Sequence, residues 1–178
     1  SHEKKEILSA IVESSDDAII SKNLDSIIIS WNKGAQKIFG YTEQEAIGNS
    51  ITMLIPENKL SEEVEILSKI RKGEKIDHFE TVRKHKSGRD ITVSITVSPL
   101  KNHKGEIVGA SKVARDITQQ VEYQKALEKY NRNLEILNSI GKSISEKNDF
   151  KEVLQWIVDT PYRLTNSQLV MFFYEVKS

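Results

Sequence analysis

The chain has 178 residues, 38% of them hydrophobic, and its 26 basic and 26 acidic side chains leave no net charge. That length holds one full domain and an appendage, and the neutral balance lacks the positive surface on which non-specific nucleic-acid binding depends. The sequence contains no cysteine, which excludes disulfides, thiolate metal sites and cysteine nucleophiles. No run reaches the roughly 18–20 apolar residues of a membrane helix and no secretory leader is evident, so a cytoplasmic protein, or a cytoplasmic piece of a longer one, is expected.

In chain order, Ile7, Leu8, Ile11 and Val12 recur at helical spacing and predict an amphipathic lead-in helix over Glu3–Ser14. Ala18–Ser21 and Ser26–Ser30 read as short apolar strands joined across the turn residues Asn23-Leu24-Asp25. A short helix over Asn32–Phe39 ends at Gly40, a left-handed cap. Thr42-Glu-Gln-Glu45 is a capping box opening the next helix, with Tyr41 and Ala46 placed as its staple. A longer helix is expected over Ser61–Arg71, with Val64, Leu67 and Ile70 on one face and Gly73 beyond its end. The period then changes to two. Ile76–Lys84, Asp90–Leu100 and Glu106–Asp116 read as strands separated by Lys86-Ser-Gly88 and Asn102-His-Lys-Gly105. These form an antiparallel meander that the two N-terminal strands complete to five.

After Thr118 the pattern is helical again. Tyr123, Leu127, Tyr130, Leu134, Leu137, Gly141 and Ile144 alternate steps of four and three, the seam of a coiled coil. The simpler alternative is an amphipathic helix folded back on its own domain. A further helix is expected from Asn148 through Phe150, Val153, Leu154, Ile157 and Val158 to Pro161, then an apolar strand over Gln168–Val176.

Three blocks carry a family resemblance: WNKGAQKIFGYTEQEAIG within Trp31–Gly48, MLIPE at Met53–Glu57, and RKHKSGRDITVSITVSPLKNHKGEIVGASKVARDIT at Arg83–Thr118. Their order and content resemble a PAS domain of the S-box type over about Ile7–Thr118. The resemblance implies an α+β fold: a five-stranded antiparallel sheet with short helices on one face, an N-terminal helix before it and a long coiled-coil-like helix after it. Leu134–Val176 more weakly resembles the opening of a GAF domain, which needs roughly a hundred further residues. The organisation expected is therefore an N-terminal amphipathic helix at 1–15, a PAS domain at 16–118, a signalling helix at 119–146 and a truncated GAF-like start at 147–178. Such an order is that of a bacterial or archaeal sensor histidine kinase. Asp116-Ile117-Thr118 resembles the family's terminal Asp-Ile-Thr, where the last strand hands over to an output helix that Asp116 or Thr118 could cap.

Strand parity turns Val93, Ile95 and Val97 inward and Thr92, Ser94 and Thr96 outward. The resemblance to flavin- and haem-holding relatives aligns Phe79, Thr81, Ala110, Lys112 and Ala114 with cavity-facing positions. With Ile29, Phe39, Ile51, Leu54 and Leu67 these residues make up the expected ligand pocket. Lys112 would offer one positive handle to an anion; the simpler reading is a stem that snorkels to the rim. A bulge could instead turn Ser111 and Val113 inward.

Sharper chemistries find little support. A flavin sensor of the LOV type needs an adduct-forming cysteine, which is absent, and its flavin-reading glutamine position corresponds to Ala114. A haem site of the FixL type needs a histidine on the long helix, where the chain offers Glu62 or Glu63; other haem attachment stays open, and the cofactor is unknown. His2, His78, His85 and His103 have no metal-ligand spacing, and His78 by parity faces away from the cavity. No phosphate-binding glycine loop, nucleophile elbow or kinase motif occurs. The acidic residues Glu43, Glu45, Glu62 and Glu63 are accounted for by helix starts, and Trp31 and Trp156 by core packing. The expected function is a sensory module, without catalysis in this segment. It responds to a small ligand or partner and relays the change through the C-terminal helix to an output kinase or GAF domain of a longer chain. A homodimer along Tyr123, Leu127, Tyr130, Leu134, Leu137 and Ile144 is expected. The alternative is a PAS scaffold without ligand that serves dimerisation and protein–protein contact; a ligand-processing enzyme has the least support.

Overall fold

The computed structural model describes residues 2–146 and Gln155, with the side chains of 144–146 outside that description. The helix expected from Asn148 and the strand expected over Gln168–Val176 fall outside the described residues. Two compact units divide the chain, Ser1–Val121 and Glu122–Ser178.

In the first unit, helix α1 (His2–Ser14) leads into strands β1 (Ala18–Asn23) and β2 (Ile28–Trp31). Short helices α2 (Lys33–Phe39) and α3 (Glu43–Ala46) follow, then two 3₁₀ turns (Ile51–Leu54 and Glu57–Lys59) and the longer helix α4 (Leu60–Arg71). Strands β3 (Ile76–Lys84), β4 (Asp90–Lys101) and β5 (Ile107–Asp116) come next, and helix α5 (Thr118–Glu146) leaves from the last of them. All neighbouring strands are antiparallel, in the order β2-β1-β5-β4-β3. The five-stranded sheet with helices on one face is the architecture expected from the sequence.

Alternation places the core. Ile91, Val93, Ile95 and Val97 of β4 point inward with Ala18 and Ile20 of β1 and Ala110 and Ala114 of β5, all buried. Phe39, Ala46, Ile51, Leu54, Ile66 and Ile70 close over them from the helical side. Trp31 belongs to the same core, its ring 5.9 Å from that of Phe39 and its indole N–H donating to the Tyr41 carbonyl at 2.9 Å. The short helices are held by their ends. Thr42 and Glu45 form the expected capping box, and Gly40 ends α2 with φ of 81°. A Cβ at Gly34 would lie 2.2 Å from the Asp17 carbonyl oxygen, so only glycine lets α2 come this close to β1.

One residue ties three segments together. Asn32, at the N-terminus of α2, is 2% exposed and uses its whole side-chain amide. Its Oδ1 accepts from Ile19 N at 2.9 Å and Ala35 N at 2.8 Å, while Nδ2 donates to Val12 O at 2.8 Å and Asp17 O at 3.1 Å. The cap of α2, the start of β1 and the end of α1 therefore share one side chain.

The long helix departs from its sequence reading. Its buried stripe is Glu63, Ile66 and Ile70, whereas Val64 is 70% exposed and Leu67 half-buried. A glutamate occupies the position facing the sheet because a cation waits beneath it. A second departure lies in β3, where the pairing jumps from Ile76↔Val97 to Phe79↔Ile95. The extra residue forms a bulge and sets His78, exposed, at φ of 48°.

Replacing Asn32 with alanine should lower the unfolding free energy by about 2–4 kcal/mol, the loss of a helix cap together with buried groups left unpaired. Urea denaturation checks this, and a loss below about 1 kcal/mol would show that the shared anchor is redundant.

Candidate functional site

The inner face of the sheet carries a set of charges that the alternation of apolar residues does not announce. Lys22 follows Ala18 and Ile20 on the inward row of β1 and is 1% exposed. Its ammonium is ion-paired with Oε1 of Glu63 on α4, and the Ser26 hydroxyl donates to the same oxygen at 2.7 Å. Arg83, at 0% exposure, follows Thr81 on the inward row of β3. Its Nη1 donates to Glu62 Oε2 at 2.8 Å, Val82 O at 2.8 Å and Thr81 Oγ1 at 3.3 Å. Lys59 at the rim reaches Glu62 Oε1 at 3.1 Å. Lys112 of β5 is 1% exposed, and no hydrogen bond ties its ammonium to the described residues.

Three buried polar atoms lack partners among the described residues: Nε and Nη2 of Arg83 and Oε2 of Glu63. Each such group costs about 1–3 kcal/mol if left unmet.

The surroundings set the protonation states. Burial pushes the Lys112 ammonium down to about 7, reinforced by the positive Arg83 and Lys22 and opposed by Glu63 and Glu62. Burial likewise lowers Lys22, against the pull of Glu63. For Glu62 burial acts upward, but the hydrogen bonds from Arg83, Lys59 and Thr81 together hold its carboxyl below the usual range.

The expected pocket residues separate into groups. Phe39, Ile51, Leu54, Thr81, Val93, Ile95, Val97, Ala110, Lys112 and Ala114 are buried in the cup. Ile29 is 53% exposed and lies outside the pocket, because β2 turns Ile28 inward in its place. Leu67 is peripheral, since Glu63 and Ile66 take the inward stripe of α4. Phe79 sits at the rim, 37% exposed, lining a cleft of about 40 Å³ with Glu62, Glu65, Ile66, Lys69 and Ile76. Lys112 does not snorkel: its whole stem and head are enclosed. Lys22, Ser26, Glu62, Glu63 and Arg83 were not anticipated as site residues. The available signal was strand parity, with Lys22 two residues beyond Ile20 and Arg83 two beyond Thr81. Glu63 stands three and seven residues before Ile66 and Ile70.

At the exit from the sheet, the Thr118 N–H donates to Asp116 Oδ1 at 2.9 Å, as in a helix cap. Thr92 of β4 donates its N–H to Thr118 Oγ1 at 3.0 Å, and its carbonyl accepts from Ile117 N at 2.9 Å. The first turn of α5 is thus bonded to the start of β4. Beyond Val121, Tyr123, Leu127, Tyr130, Leu134 and Leu137 are each 40–68% exposed on the helix surface; the side chain of Ile144 lies outside the described residues. Among the described residues no group of three or more histidine, aspartate or glutamate side chains is placed to hold a metal ion, and no helix is long and apolar enough to cross a membrane.

The fold and the enclosed cup define a small α+β module with a solvent-shielded interior. The chain belongs to the PAS fold family, whose model matches residues 6–117. It is 26% identical over 125 residues to the signal transduction histidine-protein kinase AtoS of Escherichia coli (strain K12). That match covers 66% of this chain and 19% of the kinase, so the chain spans about a fifth of that relative's length. Among solved structures it is similar to the PAS domain of a protein from Colwellia psychrerythraea, with a TM-score of 0.59 and 29% identity, covering 67% of this chain and 99% of that one. It is also similar to the PAS domain of an HTR-like protein from Haloarcula marismortui, with a TM-score of 0.56 and 26% identity, covering 65% and 93% of the two chains.

Two expectations follow from the buried charges. Between pH about 7 and 10.5 the unfolded chain carries a proton on Lys112 that the folded domain lacks. Stability should therefore rise with pH across that window and fall as pH drops toward 7, by up to about 1.4 kcal/mol per pH unit. Lys112→Met should stabilise the domain at pH 7 by about 1–4 kcal/mol and flatten that slope, as measured by denaturation at pH 7, 8 and 9. Separately, Glu63→Ala should cost about 3–5 kcal/mol by stranding Lys22, with much of the loss recovered in Lys22→Met/Glu63→Leu. Equal losses in the single and double variants would show that the pair carries no coupling.

Proposed function

We propose that residues 16–118 form the sensory PAS module of a longer cytoplasmic signalling protein. In this reading a small ligand, or the state of a partner, alters the packing of the charged cup. The change passes through Asp116–Thr118 to a signalling helix over 119–146 and on to an output domain, by analogy with AtoS a histidine kinase. The observation that carries the reading is the continuity of β5. One strand holds Lys112 inside the cup and ends four residues later at Asp116, whose carboxylate accepts the first N–H of α5, that of Thr118. A signal acts only through different affinities for two states, and an element lining the interior while holding the exit can experience both.

Dimerisation through α5 belongs to the same reading. The exposed stripe of Tyr123, Leu127, Tyr130, Leu134 and Leu137 repeats at coiled-coil spacing, and α1 presents Ile7, Leu8 and Ile11, each more than half exposed.

A second reading, a PAS scaffold that serves dimerisation without a ligand, is favoured by the tight filling of the cup. The 40 Å³ cleft beside Phe79 has room for a few waters at roughly 10–15 Å³ each, far from the roughly 300 Å³ or more of a drug-sized ligand pocket.

For residues 1–178, sedimentation should give a dimer that Leu134→Glu/Leu137→Glu converts to monomer; a dimer unchanged by the substitutions would defeat the seam. In ¹H–¹⁵N NMR with a metabolite panel, the sensory reading expects a binder that shifts cup resonances and those of Thr118–Val121 together. A binder confined to the cup, or a panel without binders, favours the scaffold.

A further inference from the structure

The sensory reading brings its signal to α5 from the cup, yet a second set of contacts reaches α5 from the N-terminal helix. We propose that the Asp17–Arg115 ion pair is a latch through which α1 sets the start of α5, an input that bypasses the cup. The latch rests on the sensory reading in one respect only, that α5 is the output helix.

Strand register puts the two residues opposite each other. The β1–β5 ladder runs from Asn23↔Gly109 to Ala18↔Ala114, so Asp17 and Arg115 are the next opposed positions, just past its end. Ala18 and Ala114 are buried in the cup, and alternation turns their neighbours to the outer face of the sheet. There Asp17 and Arg115 border an opening of about 120 Å³ with Ser94, Thr96 and Val113. Arg115 donates Nε to Asp17 Oδ1 at 3.0 Å and Nη2 to Asp17 Oδ2 at 2.9 Å. Two parallel bonds from a flat fork fix direction as well as distance, which a lysine in the same place would not do.

Each half of the latch is tied to one helix. On the α1 side, Asn32 Nδ2 donates to Val12 O at 2.8 Å and Asp17 O at 3.1 Å, and the Lys33 N–H donates to Glu13 Oε2 at 3.2 Å. The last turn of α1 and the backbone of Asp17 are therefore held on the same end of α2. On the α5 side, Arg115 is followed directly by Asp116, whose Oδ1 accepts the Thr118 N–H at 2.9 Å. Ile117 comes next, and its carbonyl accepts from Val121 N at 2.9 Å. Every link from Val12 through Asn32, Asp17, Arg115 and Asp116 to Thr118 is a hydrogen bond or a covalent bond. None of the cup charges lies on that route.

The setting suits a contact that opens and closes. The Arg115 side chain is 69% exposed and that of Asp17 24%, and a pair so wet contributes little to folding. It can part and re-form without unfolding the domain. Helix α1 has no buried residue, so a pull on it changes its direction at no cost to core packing. With the latch closed, that change reaches the cap of α5; with it open, the two helices are independent. The coupling is reciprocal, as linkage requires.

The test is amide hydrogen exchange by ¹H–¹⁵N NMR on residues 1–178, read at Ile117 and Val121 and, for comparison, at Val93 and Ile95 inside the cup. Ser9→Pro, which breaks α1 upstream of Val12, should speed exchange at Ile117 and Val121 by about two- to fivefold and leave Val93 and Ile95 unchanged. Asp17→Asn should have the same effect, and Ser9→Pro added to it should do nothing further. Arg115→Lys, which keeps the charge and loses the fork, should behave as Asp17→Asn does. Additive effects of Ser9→Pro and Asp17→Asn, no change at Ile117 and Val121, or equal acceleration at Val93 and Ile95 overturns the latch. The two inputs fail separately. A ligand that shifts the cup and residues 118–121 together, while Asp17→Asn changes nothing, defeats the latch and keeps the sensory module. Coupling lost in Asp17→Asn, in a protein that binds no member of the panel, keeps the latch and defeats the cup as the input.

Discussion

The rest of this domain depends on the ion pair between Lys22 and Glu63. It joins strand β1 to helix α4 through residues 41 apart in sequence, in a place neither charge could occupy alone. Removing either partner strands an ion in a medium where desolvation costs several kcal/mol. The apolar contacts of α4, Ile66 and Ile70, fix that the helix lies on the sheet; the pair fixes its rotation. Ser26, which donates to the same Glu63 oxygen, stands in a left-handed backbone conformation at φ of 64°. The β1–β2 turn is thus drawn into the same arrangement.

Around that pair the cup departs from an ordinary hydrophobic core. Ile20, Val93, Ile95 and Phe39 supply burial, yet among the largest enclosed side chains are Arg83, Lys22 and Lys112. Well-packed apolar residues in their place would often be as stable or more so, so folding energy alone does not call for them. What these charges add is a state variable. Lys112, brought to about 7 by burial beside Arg83 and Lys22, can hold or release a proton. A core of isoleucine and valine has no such second state.

Much of the scaffold was legible because its local signals agree with one another. The Thr42 capping box, Gly40 and the period-two strands each have one physical meaning, and the structure uses them in that sense. The charged interior was legible only in part. Lys112 was placed inside by alignment with cavity-facing positions, but a lysine stem is long enough to reach solvent from most inward positions. Deciding against the rim requires knowing that α4 and β1 enclose it. Glu62 and Glu63 were assigned to the helix dipole, a sufficient reason for acidic residues in a first turn that concealed their second role. Ile29 failed for a different reason. The pairing of β2 with β1 passes from Ser21↔Ser30 to Lys22↔Ile28, so Ile29 sits at a register shift and Ile28 turns inward in its place.

Under the proposed relay, coupling from interior to exit would follow the course of β5. From Lys112 to Asp116 the strand covers about 13 Å at about 3.3 Å per residue, paired with β4 throughout and with β1 as far as Ala114. A paired strand does not stretch, so a change at Lys112 would reach Asp116 as a shift or twist of the segment. At its end two connections respond differently. Asp116 holds the Thr118 N–H as part of the strand, whereas Thr92 of β4 holds both Ile117 and the Thr118 hydroxyl. Movement of β5 relative to β4 therefore sets the cap of α5 against its anchor, and the first helical turn must follow one or the other. Under the proposed relay, that competition between Asp116 and Thr92 is the bistable element: charge inside the cup biases β5, and the orientation of the helix reports which contact prevails.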